Sequence, residues 1–218
     1  MPVKDFMTKK VVFISPETTV AHATDIMREQ NLRRLPVIEN DRLVGLVTEG
    51  TMAEATPSKA TSLSIYEMNY LLNKTKIKDI MIKDVITVSK YDSLEDAVYI
   101  MMKNKVGVLP VVDNNQVYGI ITDKDVFKAF LEVSGYGEEG VRISVLTADN
   151  IGSLSKVVDT ITNEGLNIKR AVTASRKNNK VIIEIQVDGK IDANKLEEKL
   201  VKLGFEVESI SQTHAKSF

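Results

Sequence analysis

The 218-residue chain contains no cysteine, which removes disulfides, thiolate nucleophiles and every zinc site that needs sulfur ligands. It has only two histidines. His22 falls on a predicted helix surface and His214 in the polar tail, so no catalytic dyad or metal cluster is visible. There is no long apolar run: nothing approaches the roughly 18 residues of a membrane span. The N-terminal MPVKDFMTKK carries charge where a signal peptide needs its apolar run. Charge of one sign is missing too, with 29 basic and 30 acidic residues. Up to Gly137 there are 17 basic and 18 acidic residues, and beyond it 12 of each, so neither half has the bulk basic bias of a nucleic-acid binder. These absences point to a cytoplasmic protein whose partners are neither nucleic acid nor membrane.

What is present is ample apolar content, 43%, with 27% charged residues, the balance of a globular protein rather than a disordered one. The length suits two or three domains, each with its own core. The main organisational feature is an internal repeat. Residues 3–55 align with 77–129 at a constant offset of 74, without a gap, with 16 identities. Lys4-Asp5 matches Lys78-Asp79, Leu35-Pro36-Val37 matches Leu109-Pro110-Val111, and Gly45 with Thr48 matches Gly119 with Thr122. Two copies are too few for a solenoid, so the expected form is two similar modules packed as a pseudo-symmetric pair.

Each copy predicts strand, helix, strand, strand, helix. In the second, residues 85–88 (VITV) read as a short buried strand. Ser93 opens a helix with Leu94, Ala97, Val98, Met101 and Met102 at helical spacing, closed by 104–107. LPVVD and QVYGIIT are strands around an Asn114-Asn115 turn, and DKDVFKAFLEV resumes helical spacing. Pro57 ends the last helix of the first copy, and SLSIYEMNYLLNK predicts an amphipathic connecting helix. The third region differs. RISVLT, residues 167–175, VIIEIQV and FEVESI read as strands, with helices over 151–163 and after Asp192, and Gly204 ends the second. The order is βαββαβ, the split βαβ arrangement of one antiparallel sheet with two helices on one face. The glycine-rich 136–140 is the natural linker. The expected division is 1–56, a connecting helix 57–74, 75–134, a linker 135–140, 141–211 and a tail 212–218, in an α+β fold.

The repeated turn, GLVTEGT at 45–51 and GIITDKD at 119–125, holds the candidate chemistry. Thr48 and Thr122 sit where a strand becomes a helix, so the hydroxyl caps the helix while unpaired backbone amides point outward and attract phosphate. Thr122 followed by Asp125 equally fits a capping box, which stabilises a helix and needs no ligand.

The repeat resembles the tandem CBS-domain pair, named after cystathionine beta-synthase, over residues 1 to about 134, through LPV at 35–37 and 109–111 and the turns GLVT and GIITDKD. The resemblance implies clefts between paired modules that take adenosine nucleotides, with the turn's Thr on phosphate and its Asp on the ribose hydroxyls. Carried over, it implicates Thr122 and Asp125, with Thr48 as the matching phosphate contact. Thr51 departs from the pattern, since a hydroxyl accepts less strongly than a carboxylate from ribose. The same resemblance puts Ile86, Thr87 and Val106 to Leu109, preceding Pro110, around the base, although apolar strand residues are usually core. Arg33 and Arg34 stand where the second copy has Gly107 and Val108, so Arg34 is a phosphate contact particular to the first cleft, or a solvated surface residue.

Residues 141 to about 211 resemble an ACT domain, through RISVLTADNIGSLSKVVDTITNEGLNI with Asp149, Gly152 and Leu154 at its turn. That implies a ligand-sensing or assembly module, most often for amino acids, with Asn150, Ile151, Gly152, Ser153 and Asn167 as candidates. The alternative is a loop and helix cap in which Gly152 permits close backbone packing. Together the modules resemble the CBS-CBS-ACT proteins of acetoin-utilisation type: two CBS modules as a pseudo-symmetric pair plus a ferredoxin-like βαββαβ domain. Three functions are open. One is a non-catalytic sensor of an adenosine-containing nucleotide, cyclic dinucleotides included, that changes how a homodimer meets an unidentified regulated protein. Another is an amino-acid sensor acting through the ACT domain. The third is an enzyme, for which no nucleophile-base pair, metal set or cofactor motif stands out.

Overall fold

The computed structural model describes residues 1–56 and 62–216. The chain folds as two units, Met1–Phe127 and Lys128–Phe218.

In the first unit the two copies fold alike. The first contains α1 (Val20–Glu29), β1 (Arg34–Glu39), β2 (Arg42–Thr48) and α2 (Glu49–Ala55); α3 (Ile65–Lys74) and α4 (Ile77–Ile80) lead to α5 (Leu94–Asn104), β3 (Val108–Asp113), β4 (Gln116–Thr122) and α6 (Asp123–Ser134). Pro57, expected to end α2, lies outside the described residues, as does the start of the expected connecting helix. Ser64 and Glu67 form a capping box that starts α3. α1 and α5 begin at Thr19 and Ser93, whose hydroxyls accept from the amides of His22 and Asp96. Each hairpin turns on two residues of positive φ, Asn40-Asp41 and Asn114-Asn115, the residue types that tolerate that conformation best. Leu35, Val37, Val47, Val20, Ala23 and Ile77 form the core around the first hairpin.

The expected strand at 85–88 is not a ladder but a single isolated bridge at Val88, preceded by another at Ile82, and the counterpart in the first copy behaves the same way. Ile82 pairs with Leu46 of β2, whereas Val88, six residues on, pairs with Val111 of β3. In register, Thr8 pairs with Ile120 of β4 and Ile14 with Val37 of β1. Each lead-in segment therefore crosses from one copy's hairpin to the other's, and a segment shared between two sheets cannot pair continuously with either. At the end of β3, Asp113 takes hydrogen bonds from the Ser89 hydroxyl (2.6 Å) and the Lys90 amide (3.0 Å), which hold its carboxyl below the usual range.

The second unit is built from β5 (Gly140–Ala148), α7 (Ser153–Thr162), β6 (Ile168–Arg176), β7 (Lys180–Val187), α8 (Ala193–Lys202) and β8 (Glu206–Thr213), so the predicted βαββαβ order holds. The sheet order is β6-β7-β5-β8, antiparallel throughout. Strand alternation turns Ile143, Val145, Ile183 and Ile185 to one face, where Val157 and Ile161 of α7 and Leu196 and Leu200 of α8 cover them. Glu164, just beyond α7, is held below the usual carboxylate range by Lys199 and Lys195 of α8.

The boundary between the units falls inside α6, earlier than the expected linker at 135–140. The last turn of that helix is tied to the second unit's strands: Arg142 of β5 donates to the Ser134 carbonyl at 2.7 Å, and Arg170 of β6 to the Glu132 carbonyl at 3.3 Å. The expected tail also begins later, because β8 runs to Thr213.

Candidate functional site

The crossed lead-ins decide which residues meet. The closing turn of the first copy faces the lead-in and helix end of the second, producing a cleft of 310 Å³. Its apolar wall is Leu46, Ile82, Val85, Ile86, Val106 and Val108; its polar groups are Arg34, Thr48, Asp84 and Lys105. Thr48, Arg34, Ile86 and Val106, all expected in a site, are thus brought together. Ile86 and Val106 belong with Thr48 rather than with the turn of their own copy. At the other turn the first copy reciprocates, and the Thr8 hydroxyl lies 3.4 Å from Asp125 Oδ1.

Both turns are capping boxes. The Thr122 amide (2.8 Å) and hydroxyl (2.7 Å) donate to Asp125 Oδ2, and the Asp125 amide donates to the Thr122 hydroxyl at 3.4 Å. In the first copy the Thr48 amide donates to Thr51 Oγ1 at 2.8 Å, and the Thr51 amide to Thr48 Oγ1 at 3.2 Å. Thr51 also donates its own hydroxyl to the Thr48 carbonyl, so that hydroxyl is spent inside the turn. It does not line the cleft.

The expectation of bare amides at the second turn is not met. The Asp123 amide donates to the Gly107 carbonyl and the Lys124 amide to Asp123 Oδ1, leaving the first turn of α6 partnered by the strand end and its own side chains. Polar contact to a ligand therefore falls to side chains. Asp125 Oδ1, with its one long contact, is the available carboxylate oxygen at the second turn.

Arg34 is neither free nor a plain surface residue. Its guanidinium lies 3.5 Å from the Asp123 carboxylate, with 24% of the side chain exposed. The pair passes over Gly107, where a Cβ would come within 2.8 Å of Arg34 Nη2 and 2.9 Å of Asp123 Oδ2. Arg33 points elsewhere, to Glu49 at 3.7 Å.

Besides Thr51, and Thr122 and Asp125 at the second turn, three more expected residues lie outside this cleft. Leu109 is fully buried opposite Ile121 on the hairpin. Pro110 is buried in β3 and its carbonyl accepts from the Val88 amide. Thr87 lines a separate 260 Å³ hollow with Arg42, Lys83 and Asn115. Asp84 and Lys105 were not anticipated. For Lys105 a signal existed, since a lysine stands where the aligned copy has Asn31.

In the second unit a 530 Å³ hollow opens at the turn into α7, lined by Asp149, Asn150, Gly152, Ser153 and Leu154. Gly152 is the N-cap at φ 86°, without a side-chain cap, and the Ser153 hydroxyl donates to the Ala148 carbonyl at 3.0 Å. Ile151 is fully exposed and outside the lining. Asn167 sits apart as well, with its amide 3.4 Å from the Asp188 carboxylate.

Comparison with known proteins gives the repeat a place. The family model for the CBS domain matches residues 3–57 and 77–132. The uncharacterized protein MJ1225 of Methanocaldococcus jannaschii is 34% identical over 130 residues, covering 59% of this chain and 46% of that one. Its crystal structure superposes with a TM-score of 0.54. A Vibrio cholerae protein provisionally named an acetoin utilization protein (AcuB) is 27% identical, with a TM-score of 0.51 over 61% of this chain and 91% of that one. CBSX2, solved in complex with AMP, is 29% identical, with a TM-score of 0.51 over 61% and 97% of the two chains. Against the leading curated relatives the chain spans less than half of their own length.

Proposed function

The chain belongs to the CBS-domain family, and from that premise we propose that it is a non-catalytic sensor whose paired modules bind an adenosine-containing nucleotide, cyclic dinucleotides included, and relay its presence to a protein partner. The observation that carries this reading is the 310 Å³ cleft. Its apolar wall suits a flat base, and a hydroxyl and two cations in its lining, against the one carboxylate of Asp84, suit phosphate. Asp125 at the other turn offers a carboxylate oxygen to ribose hydroxyls. The AMP held by CBSX2 supports the same ligand class here.

A second reading has its own observation. The βαββαβ element order and the β6-β7-β5-β8 sheet order of the second unit support reading residues 141–211 as a ferredoxin-like ACT domain. The hollow beside Asn150, Gly152 and Ser153, at a helix start without a side-chain cap, is where an amino acid would be sensed.

Scanning calorimetry of the intact chain tests both. A ligand that binds only folded protein stabilises it by about 2.7 kcal/mol at a hundredfold excess over its dissociation constant. With two units, each with its own core, two transitions are expected. An adenosine mono-, di-, tri- or cyclic dinucleotide should move one of them. Amino acids moving the other, with no nucleotide effect, would replace the first reading by the second.

A further inference from the structure

We propose that the cleft closed by Thr48 selects nucleoside di- and triphosphates over the monophosphate, and that Lys105 and Arg34 set this selectivity. The inference rests on reading the cleft as a nucleotide site, and it names the ligand class that the site takes.

Lys105 carries the first part of the argument. It follows α5 in the left-handed conformation, with φ 55°. The other seven non-glycine residues of positive φ among those described are all asparagine or aspartate, the types whose short polar side chains tolerate it. Copy one holds Asn31 in the same conformation at the equivalent position. A lysine here is locally the poorer choice. A cation for the helix dipole is already supplied by Lys103 in the last turn, so the dipole does not account for it. Lys105 is an exposed residue of the cleft lining, and its ammonium has no hydrogen-bond or ion-pair partner among the described residues.

Arg34 carries the second part. Its contact to Asp123 is long, 3.5 Å, and engages one of its five donors, so the rest of the fork stays available to a second anion. Gly107 leaves the space in which the guanidinium lies. Copy two has Val108 at the equivalent position, so this cation is particular to the first copy.

The remaining charge in the lining is one carboxylate, Asp84. Position 51 supplies none, and the Thr51 hydroxyl is spent within its turn. Asp84 in the lining and Asp123 beside Arg34 balance the two cations, and Lys105 is the one without a partner among the described residues, so each phosphate the ligand adds is drawn by Lys105 and by the donors of Arg34 that Asp123 does not engage.

The test is titration calorimetry of the full chain carrying Asp125→Thr, which removes the carboxylate of the other site, against AMP, ADP and ATP in magnesium-free buffer. ATP should bind at least about tenfold more tightly than AMP, the size of effect one charge-assisted hydrogen bond carries. Adding Lys105→Asn, which copies the residue of the first module and suits the backbone, should collapse the ATP-to-AMP ratio, and Arg34→Gln should reduce it. Melting curves of each variant check folding. Equal affinities for the three nucleotides, or a ratio that Lys105→Asn leaves unchanged, would overturn the proposal while leaving the nucleotide reading intact. Failure of all three to bind this variant would overturn the proposal, and failure of all three to bind the parent chain would overturn the nucleotide reading as well.

Discussion

Asp125 serves two roles at once, and the first copy shows how to separate them. Its carboxylate closes the capping box with Thr122, yet Thr51 closes the matching box with Thr48 using only a hydroxyl. Asp125→Thr should therefore keep the helix start while removing the carboxylate, whereas Asp125→Ala would lose both. We expect the melting temperature of Asp125→Thr to stay near that of the parent. Nucleotide affinity at this turn should fall by about 1.5 to 3 kcal/mol, roughly tenfold to over a hundredfold. Calorimetric titration reads the second quantity directly. Unchanged affinity together with unchanged melting would leave Asp125 as a cap and nothing more.

At the scale of elements, the crossed lead-ins are what join the two hairpins around the clefts. The Thr8–Ile120 bridge is held by two backbone hydrogen bonds of 2.8 and 3.0 Å, and the Leu46–Ile82 bridge by two of 2.9 Å. The aligned glycines beneath them differ in what a methyl group would meet. At Gly119 the nearest atom is the Thr8 carbonyl oxygen, 2.6 Å away, part of the bridge itself. Gly45 would first meet the flexible Met81 side chain, with the Ile82 carbonyl at 3.2 Å. Overpacking against backbone costs about 1–3 kcal/mol. Gly119→Ala should incur that cost, and Gly45→Ala clearly less, since a methionine can swing aside. Urea unfolding of the two variants gives the comparison. An equal loss would mean that the bridges are not what the glycines protect.

For the whole molecule, the sheet of the second unit has one face covered by α7 and α8, while the other meets the last turn of α6. On that face Val172 is 39% exposed, beside Ala174 and Ile182, in a hollow of 430 Å³ that Phe130 and Val133 also line. An apolar sheet face of this kind is where a second copy of the chain is expected to pack. Light scattering should give twice 24.2 kDa, and Val172→Glu should shift the mass toward the monomer. A parent that runs as a monomer would refute self-association. A Val172→Glu variant that stays dimeric would move the interface elsewhere.

The sequence by itself determined the repeat, the helix starts at Ser93 and Asp192, the hairpin on its Asn114-Asn115 turn, and the βαββαβ order of the second unit. Those are local matters of periodicity, capping and turn chemistry, read within about a dozen residues. Two capping threonines at an offset of 74 were equally legible. Which residues share a cleft was not. Ile86 and Val106 join Thr48 because each lead-in leaves one hairpin for the other, a pairing between residues far apart in the chain that periodicity does not encode. The same holds for Arg34 over Gly107 and for Lys105 as a lining group, while Leu109 and Pro110 became core. Local physical chemistry writes the elements into neighbouring residues; the cleft depends on how two copies of one pattern interlock, and only the tertiary structure decides that.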